Sequence, residues 1–563
     1  MSLSIRKLAT LATMALAIAA CGDDNDDGGN GPSPLTAPTN LVAQATSSTA
    51  IQVDFSTVTG ATGYIIERAV GTGAFAVLSE PVSNTFTDTG LLPSSTYRYR
   101  VAAKSTDASL NSPFTSEVAA TTLLPGRTVV DVTTDITAST TWVADNVYRL
   151  RGFRKVANGA VLTIQPGTRI EGDVGTTGSS LFVLRGAQIV ANGTADFPIV
   201  FTSSQAAGTR QPGDWGGLII VGNGVINRAD PTNLEGTGTD PVTNPLINYA
   251  GGNDNASSSG SLRYVRVEFA GFGPAQDQEL NSFTFAAVGS GTTLEYVQAL
   301  AGLDDAFEWF GGAVDGKYLV SYESGDDHYD MSEGYVGRLQ YLIAFQSKLL
   351  QPRPGAGNVS ADPQGIENDG CNGTGCTGGQ DSQPFTIPLV ANFTLVGFPN
   401  TVTLPAGGGR GVVLRRGTGG YYVNGIVSRN INGGLSLRDN ATTGARVTAG
   451  FLDVRNHLVA ETPSLLDAST NVTTFDTTGK GLRHQPATTA ASLFTALPLT
   501  PTDAASLDWT PVAGSAATTG GLSTFTGNIA TKAGTFVVPT TYVGAADPAG
   551  AKWWAGWTNY AAN

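Results

Sequence analysis

The sequence predicts an all-β protein, a small antiparallel sandwich followed by a right-handed parallel β-helix with an irregular C-terminal cap. Three observations carry this. Short β-branched runs are separated by Gly, Asn, Asp and Thr along nearly the whole chain, and little of it has the 3.6-residue period of a long helix. From residue 126 onward the apolar blocks begin about twenty residues apart, the spacing expected for coils of a solenoid. Of 563 residues 71 are Gly and only 14% are charged, against roughly 7% and 25% in ordinary globular domains.

The same composition excludes several classes. A coiled coil would need far more Glu, Lys and Arg. Full disorder does not fit 41% hydrophobic residues with 7 Trp, 16 Tyr and 23 Phe. A net charge of −14 disfavours nucleic acid, because phosphate affinity rests on an excess of cations.

Residues 1–20 have the three parts of a secretory signal: Arg6 and Lys7, an apolar stretch from Leu8 to Ala17, and small residues before Cys21. The apolar part is too short to remain as a spanning helix. Ile18-Ala19-Ala20-Cys21 resembles the bacterial lipobox, which implies a lipid on Cys21 and a membrane partner through it. The alternative is an ordinary signal peptide followed by a cysteine. Gly22 with no Asp directly after the cysteine resembles the sorting pattern for the outer membrane. The run Asp23-Asp24-Asn25-Asp26-Asp27 resembles a surface-export signal, or serves as a solvated tether. Residues 21–36 have no apolar periodicity and read as a flexible spacer.

Residues 37–125 form the first folded unit. Ile51–Phe55, Gly63–Glu67, Ala76–Leu78 and Thr96–Ala102 read as strands, most with apolar residues at period two. Pro38 with Leu41, Gly63-Tyr64-Ile65-Ile66, Phe86-Thr87-Asp88, Gly90-Leu91 and Leu92-Pro93 with Thr96-Tyr97, Tyr99 and Val101 resemble a fibronectin type III domain over nearly its full length. The resemblance implies that the Tyr97 hydroxyl bonds back to the backbone at a sheet corner. Phe55 stands where that family usually has Trp. Such domains act mostly as spacers or adhesive modules.

Residues 126–480 carry the solenoid. Val161–Ile164, Leu181–Leu184, Trp215–Val221, Leu262–Phe269, Phe283–Val288, Leu294–Gln298, Tyr318–Tyr322, Leu339–Ala344, Phe393–Val396, Gly411–Leu414 and Tyr421–Val427 are the recurring strands. One coil alone cannot bury its inward row, and stacking closes a continuous core. A large two-sheet sandwich is the competing architecture, but it has no reason to repeat at this spacing. Residues 481–563 are less regular. Asp508–Pro511 reads as a last coil, and Trp553-Trp554-Ala555-Gly556-Trp557 as a packed lid, or else as an exposed platform for sugar rings.

Polar residues concentrate between 250 and 370. They include Asp254, Glu268, Asp277, Glu279, Asp304, Asp305, Glu308, Asp315, Glu323, Asp326, Asp327, His328, Asp330, Glu333, Glu367 and Asp369. With Gly213-Asp214-Trp215-Gly216-Gly217, these stretches resemble an uncharacterised family of secreted, often fibronectin-III-linked bacterial β-helix proteins, over about 140–560. That implies a fold and an exported location, not an activity. Asp304-Asp305 and Asp326-Asp327 are about one coil apart, and equivalent corners of adjacent coils stack about 4.8 Å apart. Carboxylates so close repel unless protons or a cation intervene, and hard oxygen ligands suit Ca2+. Asp304, Asp305, Asp326, Asp327 and Asp330 are therefore the candidate calcium ligands. The competing reading is that these acids accept backbone N–H bonds as turn caps.

If the chain is an enzyme, Asp304, Asp305, Glu308, Asp326 and Asp327 are its candidate acids, with Lys317 and Arg338 as cations, acting on a polysaccharide by lysis or hydrolysis. No pectate lyase or polygalacturonase signature is present. His328, His457 and His484 are scattered, so no zinc triad or Ser-His-Asp set can be assembled. Arg415-Arg416 reads as a solvated basic pair, and Gly407–Gly411 precedes a strand and is a turn. Cys371 and Cys376 can close a small disulfide loop in an oxidising compartment. The expectation is an outer-membrane lipoprotein whose β-helix presents a binding face to a glycan or surface protein. A carbohydrate-active enzyme and a purely structural surface element are the alternatives.

Overall fold

The computed structural model describes residues 33–560, apart from 72, 94, 124, 125, 276, 277, 405 and 406. The signal segment, Cys21, most of the spacer and Asp277 lie outside the described residues.

The first unit is a two-sheet antiparallel sandwich. Val42–Ser47, Ala50–Asp54 and Thr85–Thr89 make one sheet; Ala76–Ser79, Gly63–Val70, Thr96–Lys104 and Val118–Thr121 make the other. Alternate residues Ile51, Val53, Ile66, Tyr97, Tyr99 and Val101 turn inward and are buried, as period-two strands require. Phe55 sits edge-on to Tyr64 at 4.6 Å between ring centroids. The Tyr97 hydroxyl accepts the Leu92 N–H at 2.9 Å, the expected corner bond.

The second unit is a parallel β-helix with three faces. Face one stacks Thr140–Trp142, Val161–Ile164 and Gln188–Asn192, then the leading halves of Gly260–Glu268, Thr293–Gly302, Asp315–Ser324, Arg338–Phe345 and Leu389–Val396, and finally Gly420–Val423 and Leu452–Arg455. Face two holds the trailing halves of the same long strands and ends at Arg483–Gln485. Face three is a separate nine-stranded sheet from Phe153–Val156 to Gly433–Leu437. Neighbouring coils are in register, so Phe283, Phe307 and Tyr329 stack inside at 5.0 and 5.4 Å. Each buried aromatic of this kind contributes about 2–3 kcal/mol.

The corner between faces one and two has an unusual solution. Tyr264, Tyr296, Tyr318 and Tyr341 occupy it with φ of 49°, 54°, 62° and 67°, and Asn392, Asn424 and Asn456 continue the column. Positive φ is costly for a bulky residue, whereas Asn tolerates it. The four tyrosine rings stack at 4.5, 4.4 and 5.1 Å, which offsets part of that cost.

Two flanks of the helix are covered. The insertion 222–258 packs Ile226, Leu234, Ile247 and Tyr249 onto outward residues of face three such as Phe182, Ile219 and Val221. The C-terminal segment is not a further coil. Asp508–Pro511 pairs antiparallel with Phe494–Ala496, and the chain then runs back along face two. There Trp509, Trp554, Trp557 and Tyr560 bury Val320, Tyr322, Ile343 and Phe345. Asn559 bonds Gln298, 261 residues earlier in the chain, at 2.7 Å. Trp554 and Trp557 are 3% and 1% exposed, so this aromatic segment is a packed cover and not a platform. Outward apolar residues on face two gave the segment a place to dock that coil spacing alone does not reveal.

Candidate functional site

The acids come together where face two turns into face three. Gly302-Leu303-Asp304-Asp305 and Ser324-Gly325-Asp326-Asp327 are equivalent corners of successive coils. The Asp305 carboxylate accepts the Asp327 N–H at 2.8 Å, across 22 residues. One coil further, Asp327 accepts the Gln364 N–H. These two residues are turn caps, as the competing reading held, but each uses Oδ1 for the cap and has a second oxygen.

Beyond the corner, face three alternates. Phe307, Trp309, Tyr329, Met331 and Ile366 point into the core. Glu308, Asp330 and Glu367 point outward in direct register. The result is a ladder of carboxylates on the outer surface of face three. Oxygens of Asp304, Asp305 and Asp326 lie within 4.8 Å of one another, as do those of Asp305, Glu308 and Asp330, and those of Asp327, Asp330 and Glu367. Asp305 and Asp330 each belong to two of these triads, so the site is continuous.

Asp305, Glu308, Asp327 and Glu367 are buried. Burial, followed by repulsion from their neighbours, pushes the carboxyls of Asp304, Asp305, Glu308, Asp327, Asp330 and Glu367 well above the ordinary range. Asp326 is pushed up to about 7, mainly by burial. Counter-charge enters at the edges: Arg415 bonds Glu367 and Asp369, Arg416 bonds Asp369, and Arg228 pairs with Glu333. Arg415 and Arg416 are thus ion-pair partners of the cluster, not a solvated dipeptide. The signal was register, since Asp369 and Arg415 face each other on adjacent strands. In the middle of the ladder Asn281 bonds Glu308, and Asp330 Oδ1 is shielded from solvent without any hydrogen-bond partner. An all-oxygen donor set with an orphaned carboxylate oxygen fits a hard cation such as Ca2+.

Several candidates fall elsewhere. Lys317 and Arg338 lie on face one, with Lys317 over the Phe536 ring and Arg338 paired to Asp315. They cannot serve the acids, because the outward residues of faces one and three diverge. Asp254 caps its own loop at Ala256, Glu268 pairs with Arg266, and Glu323 accepts from Ser347 and Tyr560. His328 points inward and bonds Ser321, and burial pushes it down to about 3. His457 and His484 bond the carbonyls of Tyr422 and Thr462. Cys371 and Cys376 form a disulfide.

Sequence reasoning missed an open groove on face one. Asp315, Arg338, Tyr421, Phe451, Asn528 and Lys532 line it beside the short helix Gly527–Ala533. It continues past Tyr421 and Asn528 to Asp453, Arg455 and Lys480. Lys532 donates to the Val336 carbonyl, and burial pushes its ammonium down to about 8. The tyrosine column is half-buried and partly covered by Trp553 and Trp557, so it shows solvent ring edges, not faces.

A family model described as a pectate-lyase like beta helix domain matches residues 134–503. No curated protein matches the chain. Among solved structures, the chain is similar to FN3tt, at 17% identity over 16% of this chain and 96% of that one, with a TM-score of 0.14. It is similar to the sixth fibronectin type III domain of human fibronectin type III domain containing protein 3, at 25% identity over 17% and 93%, with a TM-score of 0.16. The twitchin kinase region from C. elegans gives 21% identity over 17% of each chain and a TM-score of 0.15, so this chain spans about a sixth of that protein.

Proposed function

We propose, for a chain that belongs to the pectate-lyase-like β-helix family, a binding role at a bacterial outer-membrane surface. In this reading a lipid on Cys21 anchors the chain, the spacer and the fibronectin type III domain hold it clear of the bilayer, and the β-helix presents a groove to a glycan or surface protein. The observation that carries the reading is the contrast between two surfaces. Asp305, Glu308, Asp327 and Glu367 are buried, whereas the face-one groove around Tyr421 and Lys532 is open and mixes aromatic, amide and charged groups, the combination that fixes a polar ligand in a cleft. Asp304, Asp305, Asp326, Asp327 and Asp330 hold Ca2+, which relieves their mutual repulsion and stiffens adjacent coils.

The test is a polysaccharide and surface-protein binding panel with the full chain, its Lys532→Ala and Asn528→Ala variants, and product analysis of each mixture. Saturable binding weakened by these variants, with the polymer intact, is the expected result. Binding unchanged in both variants would remove the groove from the account. The second reading is a polysaccharide-degrading enzyme using Asp304, Asp305, Glu308, Asp326 and Asp327. It is favoured by the family likeness and by the partial exposure of Asp304 and Asp326 at the corner. Polymer shortening lost in Asp326→Asn would establish it.

A further inference from the structure

We propose that the acid ladder holds two calcium ions in adjacent coils, bridged by Asp330, with Glu308 and Glu367 as further ligands. The inference rests on the reading that these acids take up Ca2+, and it gives that site its stoichiometry and its inner ligands. The count comes from register. Thr284, Glu308, Asp330, Glu367 and Val413 follow one another on adjacent strands of face three. A row of three carboxylates is therefore bounded by a hydroxyl at one end and an apolar side chain at the other, and three rungs enclose two gaps.

Each gap meets one aspartate of the corner. Oxygens of Glu308 and Asp330 lie within 4.8 Å of one another and of Asp305, and those of Asp330 and Glu367 within 4.8 Å of one another and of Asp327. Asp305 and Asp327 each use Oδ1 to accept a backbone N–H from the next coil, and each keeps a second oxygen. Asp304 and Asp326 join Asp305 in the outer triad and are partly exposed, so an ion reaches the row from their side. Two oxygens in the row are left over. Asp330 Oδ1 is shielded from solvent and has no hydrogen-bond partner. Asn281 is 3% exposed; its Nδ2 bonds Glu308 and Thr284, while Oδ1 on the same amide head is shielded and receives nothing. A turn cap brings its own N–H, so buried oxygens that accept none point to a cation.

Charge sets the same number. Asp305, Glu308, Asp327, Asp330, Glu367 and Asp369 carry six negative charges when ionised, and Arg415 and Arg416, which pair with Glu367 and Asp369, return two. The remaining four match two Ca2+, whereas a single ion would leave two charges uncompensated among buried groups. Adjacent strands are about 4.8 Å apart, so two divalent ions one strand apart repel, and a carboxylate between them offsets that repulsion. Asp330 stands in that position, shared by both triads.

Equilibrium dialysis of the full chain against millimolar Ca2+, followed by metal analysis, tests this. Two ions per chain are expected, one in Glu308→Gln, one in Glu367→Gln and none in Asp330→Asn. The unmodified chain gives a second reading that no folding defect can blur. With Tb3+ and Eu3+ bound together in place of Ca2+, energy transfer between ions one strand apart should shorten the Tb3+ emission lifetime relative to Tb3+ alone. A count of one or three on the unmodified chain, two ions retained in either Gln variant, or an unchanged Tb3+ lifetime with both lanthanides bound would overturn the pair while calcium uptake by the acids stands. No ion on the unmodified chain would overturn the pair together with the reading beneath it.

Discussion

In a chelator, the acid ladder should make the protein less stable as pH rises, the reverse of the usual behaviour of paired carboxylates. Asp326 shows the size of the effect. An unfolded aspartate releases its proton near 3.8, but in the folded chain this carboxyl is pushed up to about 7. Between those values the folded state holds a proton that the unfolded state has lost, so stability falls with pH. The contribution is fully present below about pH 4 and is lost as pH passes through 7. The gap between 3.8 and about 7 corresponds to ~4 kcal/mol for this one mostly buried group. Asp304, Asp305, Glu308, Asp327, Asp330 and Glu367 are displaced in the same direction. The assay is the midpoint of thermal unfolding in EDTA from pH 4.5 to 8.5, repeated with Asp326→Asn, which has no proton to lose. A midpoint that falls across this range, less steeply in the variant, is expected. A flat profile, or an identical slope in Asp326→Asn, would refute the claim that these carboxyls are held together out of water.

Three further outcomes follow from particular contacts. Gly325→Ala would place a Cβ 1.7 Å from the Leu303 carbonyl oxygen one coil below, so it should prevent soluble folding or open the corner, read by limited proteolysis between the two aspartate pairs. Arg415→Met removes the guanidinium shared by Glu367 and Asp369 and leaves buried Glu367 without its counter-charge, while Asp369 keeps Arg416. A loss of about 3 kcal/mol is expected at pH 7.5 in EDTA, shrinking at pH 5 as Glu367, whose carboxyl burial pushes up, takes its proton. Tyr97→Phe deletes the corner bond to Leu92 and should lower the denaturation midpoint of the sandwich by an amount near 1 kcal/mol, leaving the β-helix transition unchanged.

Much of the fold was legible because its signals are local. Alternating runs such as Ile51–Phe55 and Thr96–Ala102 state which residues face inward, and Asn424 and Asn456 mark corners that accept positive φ. The acid ladder was legible for the same reason: equal spacing of Asp304-Asp305 and Asp326-Asp327 places them one coil apart if the strands stack. What was not legible depends on how distant segments dock. Nothing in the Trp553–Trp557 stretch says that it returns to Tyr264 and Gln298, because an apolar segment pairs with any exposed apolar flank. Lys317 and Arg338 lie close in sequence to the acids but one face away, and adjacency in the chain does not survive a turn between faces. Arg415 had the opposite fate, distant in sequence and brought against Asp369 by register. The groove by Lys532 was missed because its walls come from residues more than 200 positions apart, Asp315 and Lys532 among them.

Calcium titration by isothermal calorimetry, on the unmodified chain and on Asp305→Asn and Asp330→Asn, probes the ladder most directly, since those two residues link its three triads. Saturable binding at or below millimolar calcium, with proton release that grows toward lower pH and with affinity lost in both variants, is the result this arrangement of stacked coils requires. A chain that takes up no calcium at millimolar concentration, or takes it up equally well without Asp305 and Asp330, would mean that these carboxyls only cap turns.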